Sequence, residues 1–162
     1  MLVYTKENEI KKQGFIIKGV HEFILTNPDG TVKQRITKEN LIVDAGLGMV
    51  GAILGGNVPS SDGINFCGFG TGAAAISSSD TKMENEGARK IIGASQSSGT
   101  SFIVAFYLNP TEGNGTWNRY ATFIDGTTVK DSGTLFSHVI VDITKASGEG
   151  LTVNSQYTIT SS

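Results

Sequence analysis

Glycine crowds the run Gly68-Phe69-Gly70-Thr71-Gly72, a pattern that can wrap a phosphate with backbone N–H groups. A phosphate loop also needs a lysine and a hydroxyl directly after the glycines, to hold charge and metal. Ala73, Ala74 and Ala75 stand there instead, so the run reads as a strand end and a flexible crossing. The two histidines, His21 and His138, sit in strand-like stretches and in no metal spacing such as HExxH. Serines gather at 77 to 79, 95, 97, 98 and 101 without the glycine elbow that exposes a nucleophilic serine. Asp80, Glu84 and Glu86 are oxygen ligands of the kind a hard cation takes, but their spacing misses the EF-hand pattern, and they read as an acidic, solvated turn. Cys67 lies in an apolar stretch and, as the single cysteine, has no intrachain disulfide partner. It reads as a small buried apolar residue of a chain made in a reducing compartment. Trp117 and Tyr120 are flat aromatics of the type that stack on sugars, but in a short strand they alternate, so at most one is a platform. Core packing is the reading preferred for Trp117. No catalytic group, cofactor or metal is assigned.

The elements that would carry these residues are mostly strands. The stretch from Phe15 to Thr26 sets Phe15, Ile17, Phe23 and Leu25 on one pleat face, with Ile16, Val20 and Ile24 mixed with Lys18 and Glu22 on the other. Asn27-Pro28-Asp29-Gly30 is a turn, so Thr31 to Thr37 folds back antiparallel. Asp44 is placed to cap a helix from Ala45 to Leu54, whose glycines at 46, 48 and 51 allow close approach to a sheet. The connector Gly70 to Glu86 has helical character from Ser79, which can cap donors near Lys82. Strands follow from Ala88 to Ser95 and from Thr100 to Leu108, the latter apolar on both faces and expected between layers. Thr116 to Asp125 sets Trp117, Arg119, Ala121 and Phe123 against Asn118, Tyr120, Thr122 and Ile124. Two cleanly alternating strands end the chain, with Leu135, Val139, Val141 and Ile143 in one and Leu151, Val153, Tyr157 and Ile159 in the other. About seven to nine strands and one short helix give an all-β fold, an antiparallel β-sandwich with Ig-like or jelly-roll topology.

The chain of 162 residues is about one domain, read as an arm over residues 1–14 and a β-sandwich domain over 15–162. Thirteen basic and fifteen acidic residues leave a net charge of −2 with no long run of one sign, which argues against nucleic acid as a ligand. No apolar stretch approaches the ~20 residues that span a bilayer, and the N-terminus lacks the blocks of a signal peptide. Twenty-one glycines against three prolines fit many turns and close strand approaches.

Three parts of the sequence share a further pattern. Gly68 to Thr71 read GxGT; Ser79, Asp80, Thr81, Met83, Glu86 and Arg89 read SDTxLxxExxR with methionine in the leucine place; Asn40 to Leu47 read NLIVDAGL. Together with the tail from Gly115 to Thr160, they resemble, in order, a family of small bacteriophage virion structural proteins. Arg119 stands where that family often has an acidic residue, and His138 where it often has arginine. The resemblance implies a non-enzymatic virion protein, made in the bacterial host cytoplasm and assembled as a homo-oligomer. A capsid decoration or cement role is favoured over a tail role, with identical subunits and major capsid or tail proteins as partners and neither nucleic acid nor membrane. The expected contact residues are Tyr4, Lys11 and Lys12 in the arm, Phe69, Thr71 and Asp80 at the connector, and Trp117. The alternative is a tail or tail-fibre component that recognises a host glycan through exposed aromatics around Trp117 or Tyr107. A glycan-degrading enzyme, with a carboxylate pair assembled from distant residues, is the least favoured reading.

Overall fold

The computed structural model describes residues 14–58 and 60–162. Among the described residues, ten strands form two five-stranded antiparallel sheets around a shared apolar core, with one helix. Sheet A is ordered β2 (Val32–Glu39), β1 (Phe15–Thr26), β10 (Gly150–Ser161), β7 (Ser101–Leu108) and β6 (Ala94–Ser98). Sheet B is ordered β3 (Leu41–Ile42), β9 (Thr134–Lys145), β8 (Gly115–Ile124), β4 (Ile64–Gly70) and β5 (Glu86–Ile91). The helix α1 (Asp44–Leu54) links β3 to β4. The all-β sandwich expected from alternation is therefore the fold, and the strand order supplies the connectivity that alternation leaves open. None of the described helical residues makes a span long and apolar enough to cross a membrane.

Period-two alternation explains most of the core. In β1 the odd residues Ile17, His21, Phe23 and Leu25 are buried between the sheets, and β10 answers with Leu151, Val153, Ser155 and Tyr157. The hairpin at Asn27–Gly30 forms as its turn residues dictate: Asn27 N donates to Thr31 O, and the Asp29 carboxylate accepts from Thr31 N at 2.9 Å. Helix α1 packs on sheet B through Gly46, where an added Cβ would meet the Phe136 carbonyl oxygen at 2.7 Å. The other two helix glycines meet nothing within 4 Å, so close approach belongs to Gly46 alone.

Four expectations need correction. Asp44 is the first helical residue rather than the cap; Val43 occupies the cap position, no side chain caps it, and the Asp44 N–H donates instead to Ser78 O at 2.8 Å. Residues 79–85 form turns and irregular backbone rather than a helical segment, because Ser77 N donates to the Asp80 carboxylate at 2.8 Å and closes a local turn, and Glu86 already begins β5. The stretch from Ala88 to Ser95 is two strands in different sheets, since the chain crosses between layers at Ile92-Gly93. The strand β7 buries Val104, Phe106 and Leu108 inward but leaves Ile103 and Tyr107 on an outer face that no described residues cover.

Candidate functional site

The two outer faces of the sandwich differ. Over sheet B, the connector from Thr71 to Asn85 lies on a second apolar cluster of Val43, Phe66, Met83, Ala121, Phe123 and Leu135. Met83, the methionine in the leucine place of the motif, anchors the connector in that cluster. Glycine makes room for this cover at Gly70, where a Cβ would meet the Glu84 and Asn85 carbonyl oxygens at 2.6 and 2.8 Å. The glycine run is thus a strand with backbone packed over it, and Phe69 between its glycines points into the core. Asn118 holds the connector start from both sides, accepting from Gly72 N and donating to Gly72 O, each at 2.9 Å.

Charged residues finish the cover. Arg119 is buried and donates to the Ala74 carbonyl, with the Glu84 carboxylate 3.4 Å away. His138, also buried, has Nε2 3.4 Å from Asp80 Oδ2 and no hydrogen-bond partner there. Burial lowers its pKa, and the Asp80 carboxylate opposes that shift. A cavity of about 300 Å³ lies between the connector and these groups, lined by Asp80, Lys82, Glu84, Arg119 and His138 among others. Its charges are matched internally, positive against negative. Among the described residues, no group of three or more His, Cys, Asp or Glu is placed to hold a metal ion.

At the far edge of the same sheet, the ExxR spacing of the motif becomes a clamp. Glu86 and Arg89 form a buried ion pair at 2.6 Å, with side chains 1% and 4% exposed. Arg89 lies over the Phe123 ring at 4.3 Å and donates to Thr127 O, Ser132 Oγ and Ser132 O. Glu86 accepts the Asp131 N–H at 2.7 Å. All three guanidinium nitrogens and both carboxylate oxygens of the pair are engaged, which a buried pair needs if it is to hold a loop rather than destabilise it. The pair therefore fastens the loop 126–133 to the sheet.

A hydroxyl–imidazole couple also exists, but inside the core. His21 Nδ1 lies 2.8 Å from Ser155 Oγ, and Tyr120 OH is 2.9 Å from the same oxygen. The Asn40 amide nitrogen donates to His21 Nε2 at 3.0 Å, which leaves the ring proton on Nδ1, facing Ser155. His21, Ser155 and Tyr120 are all fully buried, and Phe23, Tyr120 and Tyr157 pack edge-on around the imidazole. Burial pulls the His21 pKa down to about 3, so the ring is neutral near pH 7. A serine closed off in this way has no path to a substrate; the couple satisfies buried polar groups. A similar triangle joins Thr122, Ser137 and Tyr157 OH at 2.8 to 2.9 Å.

Among the described residues, by contrast, nothing covers the outside of sheet A. Ile16, Val20, Ile103 and Tyr107 stand on that face, each between 37% and 50% exposed. Val20, Gln156 and Ile103 form one cross-strand row, and Ile24, Thr152 and Tyr107 another. A shallow depression of about 450 Å³ lies among Val20, Glu22, Thr37, Ile103, Asn154 and Gln156. Arg35 bonds Glu22 at its rim and holds that carboxyl below the usual range.

The expected contact residues fall in different places. Tyr4, Lys11 and Lys12 lie outside the described residues. Phe69 is fully buried, which corrects its reading as a contact residue: it lies on the inner pleat face beside Tyr120, with ring centroids 5.1 Å apart. Thr71 is exposed at the mouth of the connector, and Asp80 sits beneath the connector beside His138. Trp117 is half-buried, its indole N–H donating to Gly113 O at 2.9 Å. A bulge between Trp117 and Arg119 turns its ring to the inner face, next to Phe69, rather than to the face of Ala121 and Phe123. The structure thus brings Thr71 and Asp80 to one connector, and Phe69 and Trp117 to one core edge. Compared with protein-family models, with curated proteins and with solved structures, the chain has no match in any of the three.

Proposed function

We propose that this chain is a non-enzymatic structural protein of a bacteriophage particle, working as a homo-oligomeric decoration or cement subunit. The observation that carries the association half of this reading is the asymmetry of the sandwich. Sheet B is largely covered by the connector and the clamp, with Ile140 and Ile91 left exposed toward its edges, while sheet A presents, among the described residues, an uncovered face with four large apolar side chains standing among amides and hydroxyls. Such a mixed patch resembles a subunit interface, where exposed apolar side chains are covered and polar groups pair across. The particle half rests on the ordered GxGT, SDTxLxxExxR and NLIVDAGL resemblance, whose residues prove to be structural: Gly70 clears space, Met83 anchors, and Glu86 and Arg89 clamp.

The glycan-recognition alternative loses Trp117, which is turned inward, and keeps Tyr107 on sheet A as its platform. Two experiments test the reading. Gold-labelled chain should decorate purified particles of the phage that encodes it at a regular spacing. The purified chain should form concentration-dependent oligomers that Val20→Glu with Ile103→Glu disperses. Binding to a glycan array that is lost on Tyr107→Ala, together with a monomeric chain, would favour the alternative.

A further inference from the structure

The free edge of β1 is the feature of sheet A that the fold leaves unused. β1 pairs with β10 along its whole length, from Phe15 to Thr26, but with β2 only from Val20 onward. The chain leaves β2 at Asn40, whose N–H donates to Gly19 O, and crosses to sheet B. Residues 15 to 18 therefore have no described strand partner on that side. Because Gly19 O faces β2 and Gly14 O faces Ser162 N on the β10 side, strand parity turns the N–H and C=O groups of Phe15 and Ile17 toward the gap. The gap is a groove of about 530 Å³. Ile17, Leu41, Ile42 and Leu47 line it on one side and Ile16 and Val20, flanking Lys18, on the other, while Glu39 and Asn40 close one end.

Resting on the homo-oligomer reading above, we infer that this groove takes residues 2–5 of a second copy of the chain as an added strand. Three observations select that occupant. The groove length from Phe15 to Gly19 is ~13 Å at ~3.3 Å per strand residue, room for four or five residues. Leu2-Val3-Tyr4-Thr5 is the apolar, strand-forming run of the segment preceding Gly14, and its alternation presents large side chains to both apolar walls. Insertion from the same copy by a tight turn brings mostly polar residues: a chain reversing at Gln13-Gly14 sets Lys12 opposite Phe15 and then Lys11, Ile10, Glu9 and Asn8 along the edge, before Asn40 blocks further pairing. From a neighbour, the eight residues 6–13 reach up to ~26–29 Å, enough to bridge adjoining subunits. The added strand uses backbone hydrogen bonds for affinity and alternate side chains for specificity.

The test uses the full chain throughout. Tyr4→Cys and Phe15→Cys are made in separate chains, mixed, and treated with a short bis-maleimide linker; Cys67 is buried and does not compete. The mixture should give a cross-linked dimer that neither chain gives alone, and Leu2→Asp with Tyr4→Asp should shift sedimentation velocity toward smaller species. Absence of the mixed dimer, with an intrachain link in a doubly substituted chain, overturns the exchange in favour of insertion within one copy. Unchanged sedimentation of the Leu2/Tyr4 variant, while the wild type stays oligomeric, overturns the arm proposal and leaves the homo-oligomer reading standing. A wild type that is monomeric at every concentration overturns both.

Discussion

Lowering the pH should destabilise this protein through His21 before its carboxylates titrate. The imidazole is fully enclosed, neutral, and held to a pKa of about 3 by burial, whereas in the unfolded chain it returns to its ordinary 6.5. The folded pKa is the lower one, so the unfolded state takes up the proton first. Stability is fully present above pH ~6.5 and falls as the pH drops below it. At ~1.4 kcal/mol per unit, the loss between pH ~7 and ~5 is about 2 kcal/mol, a large fraction of the ~5–15 kcal/mol that holds a domain together. His138 adds to the loss in the same direction, because burial lowers its pKa as well. The carboxylates whose values fall in the fold, Glu22, Asp29, Glu112 and Glu149, act at lower pH, near and below the ordinary glutamate value.

The assay is urea denaturation at pH 7, 6 and 5, at one fixed protein concentration because association shifts apparent stability. The wild type should lose about 2 kcal/mol or somewhat more across that range. The His21→Gln variant, less stable at pH 7, should lose much less on acidification, and His138→Gln serves as the control that keeps most of the slope. In parallel, the His21 ring resonances of the folded protein should not titrate down to pH 5. A ring titrating between pH 6 and 7, or a His21→Gln variant with the full wild-type slope, would refute the reasoning.

Two further predictions follow from the buried groups. Removing one member of the Glu86–Arg89 pair, as in Arg89→Met, should cost about 3–5 kcal/mol, and adding Glu86→Leu should restore part of it, both read by denaturant midpoint. A cost below ~0.5 kcal/mol would mean that the pair does not fasten loop 126–133. The Cys67 thiol is fully buried and burial pushes its pKa up, so it should react with a disulfide reagent only when the chain unfolds; rapid reaction of the folded protein would contradict its placement.

Much of the fold was legible because sheets record their faces in alternate residues. In β1 the odd-numbered side chains share one face, and from Ile17 onward that face is the core, with Phe15 exposed at its start; His21 shares the parity and is placed there by the same rule. Alternation fails where the register slips. The bulges in the β8–β9 pairing turn Trp117 inward and cannot be seen in one strand's sequence, because they depend on the partner. The run Ala88–Ser95 looked continuous because its polarity barely changes, although the chain changes sheets within it. Helical character at Ser79 was a local reading that the Ser77–Asp80 turn and the burial of Met83 override. The Glu86–Arg89 clamp was visible only as a spacing; its meaning needed Thr127, Asp131 and Ser132, some 40 residues away, to fold onto it.

The proposed role requires that further copies of the chain cover the outer face of sheet A, which is uncovered among the described residues. Sedimentation velocity over a wide concentration range, comparing the wild type with Val20→Glu plus Ile103→Glu, addresses this directly. The prediction is a wild type that assembles as concentration rises and a folded variant that stays monomeric. A wild type that stays monomeric throughout, or a variant that assembles as the wild type does, would contradict it.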